Sequence, residues 1–64
     1  MLPYQERVIQ EKKELDEKLE KLDTFVRSEI YKTLPVEEQN RLLKQYSIME
    51  SYSHILNERI VNFN

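Results

Sequence analysis

The 64-residue chain has no cysteine, no glycine and no tryptophan, a single histidine and two prolines. Without cysteine no disulfide can staple the fold, and His54 alone cannot supply the ligands of a structural zinc site. Without glycine, the tight phosphate-cradling turns of P-loop and dinucleotide folds are excluded. No stretch approaches the roughly 20 apolar residues that cross a bilayer. The N-terminus also lacks the basic-then-apolar pattern of a secretory signal, so the expected setting is soluble and cytoplasmic, with no membrane partner. A surplus of one charge is missing too, since ten Lys and Arg face twelve Asp and Glu for a net charge of −2. That balance gives no overall pull toward duplex nucleic acid, yet leaves room for a local basic pocket that takes a small anion.

The shortness has a consequence of its own. A domain of this size buries only about 60% of the surface its unfolded chain exposes, and single cores below roughly 70 to 80 residues usually need a staple or a partner. With disulfide and zinc excluded, oligomerisation is the remaining source of stability, and a homo-oligomer, dimer or tetramer, is expected.

What is present is helical. Pro is tolerated in a helix only in its first turn, so Pro3 and Pro35 mark two helix starts. Residues 4–27 are rich in Glu, Lys, Leu and Gln, all good helix formers, and Glu14 with Lys18 and Glu17 with Lys21 make favourable i,i+4 pairs. Val8, Leu15, Leu19, Leu22 and Val26 form one stripe on this helix. From Pro35 onward, Leu42, Tyr46, Met49, Ser53, Leu56, Ile60 and Phe63 alternate steps of four and three, a seam of coiled-coil type in which Ser53 is the small polar member. Between the helices, Ser28 can cap one further helical turn over residues 29–32, while Leu34 is pushed out of the α region by Pro35. Glu37 and Glu38 suit the first turn of the second helix. The expectation is an all-α, single-domain antiparallel hairpin over residues 1–64: helix 1 about 3–27, connector 28–34, helix 2 about 35–62. Each arm of about 26 residues would run about 39 Å. Ile48, Tyr52 and Ile55, one position before the seam, widen the apolar face of helix 2 beyond what one helix can cover. They are read as the surface on which hairpins assemble into a homo-oligomeric bundle.

Catalysis has little to stand on in such a chain, because it asks for a nucleophile with a base, carboxylates paired in a cleft, or a metal, commonly on loops. No catalytic residue, cofactor or metal is assigned. Glu50, His54 and Glu58 share a face, but bundle metal sites use Glu-x-x-His spacing, and the bland reading is a solvated histidine between acids. The run over 11–21 is read as a solvated helix face. The more informative line is Gln45, Tyr52 and Arg59, at heptad spacing beside the seam. A carboxamide for a base edge, an aromatic face for the base and a guanidinium fork for phosphate are what a nucleotide site needs. Tyr4 and Arg7, with Lys12, offer similar chemistry at the start of helix 1, which an antiparallel hairpin brings beside Arg59. Tyr4, Arg7, Gln45, Tyr52 and Arg59 are therefore the candidate ligand residues. The competing reading makes Tyr52 an interface aromatic and pairs the arginines with Glu11, Glu58 or a neighbouring subunit.

The opening Leu2-Pro3-Tyr4-Gln5-Glu6-Arg7-Val8, the run over 11–22 with Phe25, and Leu42-Leu43 followed by Gln45, Met49, Tyr52, Leu56, Arg59 and Ile60 resemble a family of small phage proteins whose type member comes from a crAss-like phage. The Ile30-Tyr31 connector departs from that family's more usual single Phe. The chain is also similar to small helical anti-CBASS sponges, oligomeric phage proteins that sequester the cyclic nucleotide signals of bacterial immunity. The resemblance implies a non-catalytic protein of the host bacterial cytoplasm that binds a cyclic di- or trinucleotide. A helical adaptor whose apolar face docks a host or phage protein is the alternative.

Overall fold

The computed structural model describes residues 1–63. They form three helices, α1 (Pro3–Val26), α2 (Glu29–Thr33) and α3 (Val36–Val61), so the expected pair of helices gains a third, short one inside the connector. That short helix is the single turn the Ser28 cap implied. The Ser28 hydroxyl accepts from the Tyr31 N–H at 3.3 Å and donates to the Phe25 carbonyl at 2.6 Å, so one side chain serves both the end of α1 and the start of α2.

The other helix ends are closed by equally local means. Pro3 occupies the first turn of α1, where its missing N–H costs nothing. The Gln5 carboxamide reaches back to accept from the Leu2 N–H at 2.9 Å, and Gln5 is buried in doing so. Pro35 precedes α3, its carbonyl accepting from the Glu38 and Gln39 N–H groups, both at 3.0 Å. Around it the Gln39 amide donates to the Leu34 carbonyl at 2.8 Å and the Tyr31 hydroxyl to the Gln39 carbonyl at 3.2 Å. The connector is thus tied to α3 by side chains that satisfy exposed carbonyls.

The two long helices lie side by side in opposite directions, because Tyr4 at the start of α1 meets Phe63 just past α3 and Asp16 meets Ser53. Their buried apolar residues are few: Val8 and Leu15 on α1 and Leu56 on α3, with Met49, Ile60 and Phe63 partly buried against them. Leu56, 1% exposed, is the centre of this core. Toward the connector Leu19, Leu22, Val26, Leu42 and Tyr46 are only half-buried, so the seam expected along the whole pair closes at its middle and at the end that carries the termini. The molecule measures 47 × 14 × 13 Å with a radius of gyration of 14.7 Å, against about 11 Å for a compact chain of this length.

The expected Glu14–Lys18 and Glu17–Lys21 pairs do not form among the described residues. The ion pairs are instead Lys12–Asp16 at 2.6 Å, Arg27–Asp23 at 3.1 Å, Lys32–Glu29 at 3.2 Å and Arg41–Glu38 at 2.8 Å. Glu14 accepts from the Gln10 amide. On a solvated helix face several i,i+3 and i,i+4 partners are close in energy, at about 0.3 to 0.5 kcal/mol each, so composition cannot choose among them.

Candidate ligand site

Helix geometry sorts the polar residues into two flanks. With Leu56 facing α1, a turn of 3.6 residues puts Ser53 about 60° to one side and Tyr52, Arg59, Ile48 and Ile55 about 40° to 100° to the other. With Leu15 facing α3, Lys12 and Asp16 lie about 60° and 100° toward one side and Arg7 about 80° toward the other. The Ser53 hydroxyl donates to Asp16 at 2.5 Å, which matches the flanks across the seam: Lys12, Asp16 and Ser53 share one, Arg7, Tyr52 and Arg59 the other.

The first flank is pinned. Asp16 accepts from Lys12 at 2.6 Å as well as from Ser53, and these two hydrogen bonds, Lys12 first, hold its carboxyl below the ordinary carboxylate value. Toward the connector Tyr46 sits half-buried, its phenol pushed above the ordinary tyrosine value first by desolvation and then by the charges of Asp23 and Glu50. Lys12, grouped by sequence with Tyr4 and Arg7, is therefore committed to Asp16 on the opposite flank. The reason is angular, since Lys12 lies five residues beyond Arg7, about 140° round the helix. A surface groove of about 530 Å³, with Ile9, Lys12, Asp16 and Ile60 in its lining, follows this pinned flank and includes none of the five candidate residues.

The second flank is bare. Ile48, Tyr52 and Ile55 are 69%, 43% and 51% exposed. Arg7 and Arg59 are exposed and make no ion pair with a described residue, and Glu58 pairs with His54 at 3.0 Å. Asp16 opposite Ser53 sets Arg59 level with Gln10, so Arg7 and Arg59 are offset by three residues, about 4.5 Å along the axis. Tyr4 joins them at this end, its half-exposed ring meeting Phe63 edge-on at 5.8 Å between centroids and 77° between planes. Tyr52 lies about 10.5 Å and Gln45 about 21 Å from Arg59 along α3, and the Gln45 amide donates to the Met49 sulfur at 3.7 Å. On this register Tyr4 lies about 4.5 Å from Arg7 and about 9 Å from Arg59 along the axis, Tyr52 lies about 10.5 Å from Arg59 on the other side, and Gln45 stands apart.

Phe63, the last residue of the seam, is the one that meets the candidate Tyr4. Its signal was present but indirect, because antiparallel pairing puts the last seam residue of α3 beside the first turn of α1. Among the described residues no group of three or more His, Cys, Asp or Glu side chains could hold a metal ion, and no helix is long and apolar enough to cross a membrane.

Comparison with known proteins covers nearly the whole chain. It is similar to a protein of Enterobacteria phage T4 described as the uncharacterized 7.5 kDa protein in the denB-rIIB intergenic region, with 40% identity over 63 residues that make up 98% of each chain. No solved structure matches. The Sequestin family model matches residues 2–62, a span that takes in both long helices and the bare flank between Arg7 and Arg59, and the chain belongs to the Sequestin family.

Proposed function

We propose that this protein is a phage anti-defence protein that binds and sequesters a cyclic di- or trinucleotide immune signal in the host bacterial cytoplasm, without transforming it. The observation that carries the reading is at the terminal end of the bare flank, where two exposed guanidiniums without ion-pair partners among the described residues and a half-exposed tyrosine ring fall within about 9 Å of one another along the helix axis. Guanidinium forks suit phosphate and an aromatic face suits a base. The family's name, Sequestin, describes sequestration, and tight binding alone is enough to silence a signal.

The proposal includes assembly into a homo-oligomeric bundle of hairpins. The chain exposes 5088 Å², whereas a compact 7.9 kDa monomer would expose about 4,400 Å². The excess, about 700 Å², is close to the roughly 800 Å² that each partner contributes to a standard interface. Ile48, Tyr52 and Ile55 supply apolar surface for it, and a second copy would let Tyr52 and Gln45 act on a ligand that Arg59 of the same chain holds too far away. Light scattering is expected to give a mass above 7.9 kDa. A stable, fully helical monomer would refute the assembly.

Binding is tested by a thermal-shift screen with cyclic di- and trinucleotides, where a ligand at 100 times its dissociation constant adds about 2.7 kcal/mol. Arg59→Ala is expected to weaken binding by about 1.5 to 3 kcal/mol, the scale of a charged hydrogen bond, with helicity and mass unchanged. Arg59→Lys should rescue only in part, keeping charge but not the planar fork. If the parent binds no cyclic nucleotide, the bare stripe of Ile48, Tyr52 and Ile55 favours the second reading, an adaptor that docks a protein partner.

A further inference from the structure

We infer that Phe63 is a positioning residue of this site, acting through Tyr4: its ring fixes the tyrosine ring as a ready stacking surface for a nucleobase. The inference rests on the nucleotide-binding reading above. Phe63 lies beyond the last residue of α3, yet two constraints hold it. Its N–H donates to the Ile60 carbonyl at 3.1 Å, and its side chain packs against the core of Val8, Leu15 and Leu56. The neighbouring Asn62 N–H donates to the Arg59 carbonyl at 3.2 Å, so the turn that sets Phe63 begins at the phosphate-binding arginine. From this anchored position the ring meets Tyr4 at 5.8 Å and 77°, within the edge-to-face range that aromatic quadrupoles favour. Tyr4, in the first turn of α1, keeps part of its surface open to solvent while in contact with Phe63, being 46% exposed. A tyrosine in that place without a neighbour would sample several rotamers and lose that freedom on binding, whereas one already held by Phe63 loses less.

The test combines titration calorimetry with a mutant cycle on the full chain, using cyclic diadenylate, cyclic diguanylate and cyclic triadenylate as probes. Phe63→Leu, which keeps an apolar side chain in the core contact, is expected to weaken binding about three- to tenfold, and Phe63→Tyr to bind close to the parent. In a Tyr4→Ala background Phe63→Leu should add no further loss, since a residue that acts through Tyr4 has nothing left to position. On the unmutated protein, NMR should show contacts between the two rings that persist when the probe is added, with Tyr4 ring shifts that move on binding. Equal losses with and without Tyr4, an unaffected Phe63→Leu variant, or a silent Tyr4 ring would make Phe63 a core filler and leave the sequestration reading intact. A parent that binds none of the three probes would overturn both.

Discussion

The two ends of the molecule are held by different forces. At the end that carries the termini, Val8, Leu56, Ile60 and Phe63 exclude water from the seam. At the connector end the flanking leucines are half-buried, and the work passes to directed hydrogen bonds from Ser28, Tyr31 and Gln39 onto backbone groups. Apolar burial is non-directional and scales with area, so it tolerates exposed neighbours. A capped turn is directional and worth about 1 kcal/mol per bond, so it fixes geometry more than it adds stability. The candidate residues stand at the end where the core lies, Arg59 beside Ile60 on α3 and Tyr4 against the Phe63 ring, while the connector sets direction and register.

The largest expected effect breaks the comparison at its core. Leu56→Ala should cost about 2 to 5 kcal/mol in urea denaturation, and Leu22→Ala clearly less if a single chain is the whole of the connector end's environment. Equal costs would mean that a second copy covers the connector end. Next, Ser28→Ala should cost about 1 kcal/mol, the usual loss for a helix cap, and raise amide exchange at Tyr31 more than at Leu56. Smaller still, Tyr31→Phe removes the bond to the Gln39 carbonyl and should cost about 0.5 to 1.5 kcal/mol. The smallest effect is in pH. Asp16 titrates below its ordinary 3.8 in the folded chain, so it contributes stability that is complete above the unfolded value and is lost as pH falls through the folded one. Ser53→Ala should therefore lower the neutral plateau slightly and flatten the acid limb, the mutant and parent profiles converging at the acid end, below about pH 4, where Asp16 is protonated in both; profiles that coincide at neutral pH would show that Ser53 contributes nothing to this effect.

Much of the fold was legible because its signals are local. Pro3, Ser28 and Pro35 mark helix starts through steric and capping rules that need no tertiary contact; against Pro3–Val26 and Val36–Val61, the expected 3–27 and 35–62 run one residue longer at the end of the first helix and at both ends of the second. The candidate site was legible only in part. Heptad spacing gave Gln45, Tyr52 and Arg59 a common side, but spacing does not measure reach, and about 21 Å separates the outer two. Phe63 falls in phase with the seam, but phase does not give the partner across it, and its contact with Tyr4 depends on the register of the two helices.

By itself the sequence determined helix content, helix ends, the opposed direction of the long helices and the absence of disulfide or zinc support, since each follows from backbone sterics, composition or a connector too short for anything else. Only the tertiary structure decided which flank is pinned and which is bare. That choice turns on the Ser53 hydroxyl meeting Asp16 and on the Phe63 ring meeting Tyr4, contacts between residues 37 and 59 positions apart. Local propensity carries no information about such pairs, because their energies arise only when both helices are already in place.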